Sequence, residues 1–163
     1  MRISFFIILL VLLVPLSANA QLGVSFGVAA SLASPSGDFG NAVGNGIGGA
    51  ALVKFGLLPI IDLTAGVDYI SFAEKETAGF KSSATAWGVN VGGRVSLLPF
   101  IFGGLEIGTY SVTPKVNGQS GDSNTKSAFA PIVGVRFSQL EGSVRYVARS
   151  DANFVGARIG LWF

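Results

Sequence analysis

Between Gln21 and Phe163 the apolar residues of this chain recur at every second position. Every charge inside those alternating runs falls on the same row, the one rich in glycine rather than in Leu, Val and Ile. The last ten residues, F-V-G-A-R-I-G-L-W-F, show the rule most plainly. Val155, Ala157, Ile159, Leu161 and Phe163 form one apolar row; Phe154, Gly156, Arg158, Gly160 and Trp162 form the other. Successive side chains of a strand point to opposite faces, so the chain predicts strands with a hydrocarbon-like face and a second face that tolerates ionised groups.

Eight such runs follow one another, over 22–32, 47–55, 61–69, 87–97, 101–108, 129–137, 140–146 and 154–163. Leu58-Pro59 and Leu98-Pro99 break the chain tightly, because proline cannot donate to a sheet ladder. Pro131 removes one ladder bond within the sixth run. Stretches 33–46, 74–83, 113–126 and 149–153 carry the Gly, Ser, Asn and Pro chemistry of loops, so long and short connections alternate. Asn117 and Ser120 fall in one of these loops, where substitution is expected to matter little. Leu57-Leu58-Pro59-Ile60-Ile61 recurs 40 positions later as Leu97-Leu98-Pro99-Phe100-Ile101, as a repeated two-strand unit would require. The pattern predicts an all-β, eight-stranded antiparallel up-and-down barrel, closed by pairing of its first and last strands.

The charges decide which face is inside. Lys54, Asp62, Asp68, Arg94, Glu106, Arg136, Glu141, Arg145 and Arg158 share one face, and the other ten charges that follow the leader fall in the expected loops. A soluble sheet places charge on its solvated side and apolar side chains in its core. Here the charged row is also the small-residue row, which suits a crowded interior, so the apolar row faces out and the solvent there is lipid. In lipid only helices and closed barrels satisfy their backbone groups, and eight strands is the smallest of the outer-membrane barrel series. Aromatic residues on the apolar row fall at two levels, Tyr69, Trp87, Phe129 and Tyr146 near the long connections, and Phe55, Phe137 and Phe163 near the short ones. Such girdles flank the aliphatic band of membrane-spanning barrels.

Residues 1–20 have the form of a secretory signal peptide: Arg2, an apolar run from Phe5 to Val14, and the small-residue ending Ala18-Asn19-Ala20. The run from Ile3 to Leu16 is about 14 residues, short of the ~20 needed to span a bilayer. Cleavage before Gln21 is expected, leaving 21–163 as one exported barrel domain. The formal charge of +2 gives no reason to expect a nucleic-acid partner.

The chain has no Cys and no His. That removes disulfides, thiolate metal sites, and Ser-His and Cys-His catalysis. Asp62 and Asp68 lie about 20 Å apart along one strand, too far for a shared proton. Gly44–Gly49 lacks the Lys-Ser/Thr ending of a phosphate loop, and Asp38, Asp122 and Asp151 form no Ca²⁺ cluster. No catalytic, cofactor-binding or metal-binding residues are therefore expected, and the nine facing charges are the one constellation capable of chemistry. Charges inside a narrow barrel must pair or stay hydrated, which predicts a salt-bridge plug. A narrow pore with Arg94, Arg136 and Glu106 at its constriction is the alternative.

On these residues the chain resembles the eight-stranded OmpA/OmpX-type outer membrane β-barrel family of Gram-negative bacteria. The resemblance spans 21–163 and implies an integral, monomeric outer membrane protein surrounded by lipid, with a structural or surface-interaction role and an unidentified partner for its loops. It also implies that Phe163, Leu161, Ile159 and Ala157 signal to the barrel-assembly machinery. No peptidoglycan-binding domain of the kind found in full OmpA-type proteins, and hence no anchoring to the cell wall, is expected from this resemblance. A secreted soluble barrel of lipocalin type is the remaining alternative, and it requires the apolar row to face inward.

Overall fold

The structure is a computed structural model and describes residues 23–163; the expected leader and its cleavage point lie outside the described residues. Eight long strands carry the fold: β1 (Val24–Ser36), β2 (Gly46–Leu58), β3 (Ile61–Thr77), β4 (Phe80–Leu98), β5 (Ile101–Val116), β6 (Asn124–Phe137), β7 (Leu140–Arg149) and β8 (Asn153–Trp162). Each pairs antiparallel with the next, and β8 pairs with β1 through Gly27↔Trp162 to Ser36↔Asn153, which closes the barrel. The terminal residue completes the seam: Phe26 and Phe163 exchange both backbone hydrogen bonds, at 3.1 and 2.7 Å.

The stagger follows from the registers. Stepping from Gly23 through Gly56, Asp62, Arg94, Gly104, Ile132, Arg145 and Gly156 returns to β1 at Ala33, ten residues above the start (33 − 23 = 10). With a rise of ~3.3 Å along strands ~4.7 Å apart, that stagger tilts the strands by about 40°. Phe129 and Phe137 are eight residues apart on β6, hence about 20 Å apart along the barrel axis, close to the ~25 Å apolar band of outer-membrane barrels.

The outer wall is the apolar row. Leu32, Val67, Val89, Leu105, Val133, Ile159 and their neighbours are all exposed. This orientation is opposite to that of a soluble ligand-binding barrel. All of the expected girdle residues, Tyr69, Trp87, Phe129, Tyr146, Phe55, Phe137 and Phe163, lie exposed on this wall. Phe100 joins them at the short-turn end, stacked on Phe137 at 6.2 Å; its place in the turn after Leu98-Pro99 hid it from the alternation. On the inside, glycine lets neighbouring backbone approach. At Gly108 a Cβ would stand 2.0 Å from the Val89 carbonyl oxygen.

The connections at the long end differ from expectation. Most of 74–83 is strand, because β3 and β4 run on to a two-residue turn at Ala78 and Gly79, both with positive φ. β5 likewise continues to Val116 and turns at Asn117 and Gly118, with a two-residue return, Gln119–Ser120, pairing Val116 and Lys115. These are the φ values of a twisted hairpin turn. Asn117 is therefore a structured position, and its Oδ1 also accepts from the Lys81 backbone N–H at 3.1 Å. Glu74, Lys75, Glu76, Lys81, Lys115, Lys126 and Arg149 lie in strands rather than loops. A bulge between Phe72 and Lys75 reverses the facing of β3 there, so a period-two count cannot be carried through it. Both hairpins stand beyond the Tyr69–Trp87 level, the first by about 20 Å at the usual rise and tilt.

Segment 33–46 is also not a plain loop. β1 continues to Ser36, and a short helix, α1 (Gly37–Ala42), folds across the barrel mouth. Lys75 Nζ donates to the Gly40 carbonyl at 2.6 Å, and Phe39 meets Phe72 edge-on at 4.9 Å. At Pro131, β6 pairing to β7 lapses after Phe129↔Ala148 and resumes in the same register at Ile132↔Arg145, as a missing N–H requires.

Candidate functional site

The inward row fills the lumen in three levels. Nearest the short turns, Arg136 binds Asp62 at 3.3 Å and Glu141 at 3.1 Å. Glu141 also accepts from Arg94 Nη1 at 2.7 Å and from the Trp162 indole N–H at 3.0 Å. The indole lies against the opposing strand, where a Cβ on Gly27 would fall 2.8 Å from its ring. Lys54 makes no ion pair among the described residues; its Nζ stands 4.7 Å from the centroid of the Trp162 ring. Arg136 and Arg94 both approach the face of Phe102, at 5.4 and 5.0 Å.

The middle level is closed to solvent. Glu106 accepts from Arg94 Nη2 at 3.2 Å, Arg145 Nη1 at 3.1 Å and Arg158 Nη1 at 3.2 Å. Asp68 accepts from Arg158 Nη2 at 2.6 Å, Arg145 Nη1 at 3.2 Å, the Tyr110 hydroxyl at 2.7 Å and Asn90 Nδ2 at 2.7 Å. Arg94 joins the two levels by bonding Glu141 with one nitrogen and Glu106 with the other. An unbroken chain of charge thus runs Asp62, Arg136, Glu141, Arg94, Glu106, Arg145 and Arg158, Asp68. A cavity lined by Asn90, Glu106, Tyr110 and Arg145 and, toward the outer wall, by Ile107 and Phe129 has a volume of about 10 Å³, near one probe sphere of water.

Above the charges the lumen turns apolar. Ile70, Phe72, Tyr110, Val147 and Phe154 form a buried cluster with Val43, and Phe39 of α1 packs against it. Phe154 sits edge-on to Phe72 and Tyr110 at 5.7 and 5.8 Å. At the rim Arg149 is buried and bonds Asp151, while Lys126 bonds the same carboxylate at 2.9 Å. Burial disfavours an ionised Asp151, but Lys126 and Arg149 outweigh it and hold the carboxyl below the usual carboxylate range.

Eight of the nine sequence-predicted lumen charges therefore meet in one network, and Lys54 stands beside it. They do not share one level: Lys54, Asp62, Arg94, Arg136 and Glu141 lie toward the short turns, whereas Asp68, Glu106, Arg145 and Arg158 lie near mid-barrel. Arg149 is a tenth inward charge, and its odd position in β7 with Glu141 and Arg145 is the signal that reveals it. Asn90 is on the inward row and Tyr110 continues that row beyond the expected end of the fifth run, but neutral groups do not mark themselves as partners of Asp68. Ala157, Ile159, Leu161 and Phe163 form an exposed outward row on the last strand and its end. Among the described residues no three carboxylates, histidines or cysteines converge as metal ligands.

The fold has known counterparts. Ail, the attachment invasion locus protein of Yersinia pestis, superposes with a TM-score of 0.57 at 16% identity, covering 86% of this chain and 96% of Ail. Neisserial surface protein A superposes with a TM-score of 0.61 at 12% identity, again over 86% of this chain and 96% of its own. A designed transmembrane β-barrel matches at 0.52 and 14% identity, over 85% and 95% of the two chains. These likenesses establish the shared fold. No curated protein sequence matches the chain at a significant level. The signature of the outer membrane protein beta-barrel domain matches residues 6–149. With the closed antiparallel barrel, its apolar outer wall and its charged lumen, that match places the chain in the outer membrane protein β-barrel family.

Proposed function

We propose that this outer membrane protein is a non-catalytic, monomeric barrel whose lumen is plugged and whose long hairpins present a surface for interaction outside the cell. The observation that carries the reading is the stacked closure of the lumen, ion pairs below and an aromatic cluster under α1 above. Every carboxylate of the inner network is held by at least one arginine, so ions crossing it would have to break paired, desolvated charges. In this reading the short turns face the periplasm and the β3–β4 and β5–β6 hairpins face outward. Ail, the attachment invasion locus protein of Yersinia pestis, shares the fold and has been crystallised with the heparin analogue sucrose octasulfate; this supports a surface-interaction role. The test is single-channel recording in planar bilayers: a silent membrane is expected, and regular unitary openings would replace the plug with the pore reading.

Biogenesis completes the proposal. Residues 1–20 are removed on export, and intact-mass measurement of the outer membrane form should start the chain at Gln21. The outward row Ala157, Ile159, Leu161 and Phe163 is the segment presented to the assembly machinery. Phe163→Ala keeps both backbone bonds to Phe26 and removes only the ring. Its yield of heat-modifiable barrel in cells should fall several-fold while spontaneous refolding into detergent stays normal. Equal yields in cells would remove Phe163 from that role.

A further inference from the structure

The inward charges do not cancel level by level. At mid-barrel Arg145 and Arg158 face Asp68 and Glu106, a balanced set. Toward the short turns Lys54, Arg94 and Arg136 face only Asp62 and Glu141, leaving one positive charge in excess. Lys54 carries that excess. No carboxylate of the described residues lies within ion-pair distance of it, and residues 1–22 contain no Asp or Glu. Its ammonium is fixed over the Trp162 ring. Solvent reaches this level and stops there: the Arg136 and Asp62 side chains are 22% and 17% exposed, against 5% for Glu141 and 1% for Arg94. This partly hydrated end of the lumen, with Lys54, Arg136 and Asp62 around it, the buried Trp162 indole beside Lys54 and the closed mid-barrel network above, is the vestibule.

We propose that this vestibule is a binding site for a small oxyanion, a phosphate or carboxylate group, with Lys54 as its principal ligand and Arg136 beside it. One monoanion offsets the excess charge at this level. A half-buried ammonium with no carboxylate of the described residues within ion-pair distance is costly, and its partial burial strengthens its attraction for an anion beyond that of a fully exposed lysine. The aromatic surfaces of Trp162 and Phe102 limit how far water can satisfy the cations from the sides. The site lies at the outer end of the plug and shares Arg136 with it; an occupied vestibule and a silent channel are compatible.

The chain has two tryptophans, and Trp87 is on the outer wall, so Trp87→Phe leaves Trp162 as the only indole reporter of the vestibule. In this background, phospholipid-free micelles are titrated with inorganic phosphate at fixed ionic strength. A saturable change in Trp162 emission is expected. Lys54→Gln should weaken it about tenfold, the weight of one charge-assisted hydrogen bond, and Lys54→Arg should largely restore it. Lys81→Gln, on the distant hairpin, should leave it unchanged. A second arm compares bilayers of anionic and uncharged phosphate-free lipid: a Lys54-dependent change seen only in the anionic bilayer assigns the site to a lipid headgroup. Heat-modifiable migration confirms that each variant is folded. No saturable change in either arm, or an equal response in folded Lys54→Gln, overturns the proposal.

Discussion

Glu106→Gln is expected to cost this barrel about 3–5 kcal/mol of stability, the penalty for leaving a buried charge cluster without its counter-ion. Glu106 is the hinge of the network: Arg94, Arg145 and Arg158 all donate to it, and all four side chains are buried. The amide keeps the shape but carries no charge, so Asp68 becomes the sole carboxylate at mid-barrel for two arginines that cannot lose their protons. Urea unfolding of protein refolded in lipid vesicles measures the loss. Asp62→Asn, at the hydrated mouth, should cost under about 1 kcal/mol by the same assay, because solvent replaces much of the lost interaction there. Equal effects at 106 and 62 would mean that water permeates the mid-lumen and that the plug is not dry.

The neighbouring residue should respond in the opposite sense. Leu105→Arg adds a charge to the exposed apolar wall near the middle of the band, at an expected cost of roughly 2–4 kcal/mol. One position along β5 separates the two substitutions, yet removing a charge is damaging at 106 and adding one is damaging at 105, because the side chains lie on opposite faces. Depth gives the control. Thr109 is on the same face of β5 but near the level of Tyr69 and Trp87, and Thr109→Arg should cost only about 0–1 kcal/mol. The folded fraction on heat-modifiable gels and the urea midpoint in vesicles both read this. A Leu105→Arg variant as stable as Thr109→Arg would place the membrane band elsewhere on the barrel.

How legible the protein was depends on which physical rule governed each part. Strand number, antiparallel order and the facing of the wall followed from period-two alternation, since the pleat leaves no other way to put Val89, Val91 and Leu105 on one side and Asn90, Arg94 and Glu106 on the other. The nine lumen charges were legible for the same reason. The hairpin lengths were not. Polar residues read as loop, but outside a membrane a twisted hairpin needs no apolar face, so 74–83 and 113–126 could be strand despite their composition. The bulge at 73–74 then broke the parity that would have assigned the faces of 75–77 on β3.

The sequence by itself determined that the chain is a barrel turned outside in, because alternation and the placement of charge are local properties that every strand repeats. Only the tertiary structure decided who pairs with whom. The ten-residue stagger sets which inward residues of different strands share a level, and it brings Asp68, Glu106, Arg145 and Arg158, from four strands, into one cluster. It also leaves Lys54 over Trp162 with no carboxylate of the described residues within ion-pair distance. Those contacts depend on the sum of eight registers, and no single stretch of the chain contains that sum.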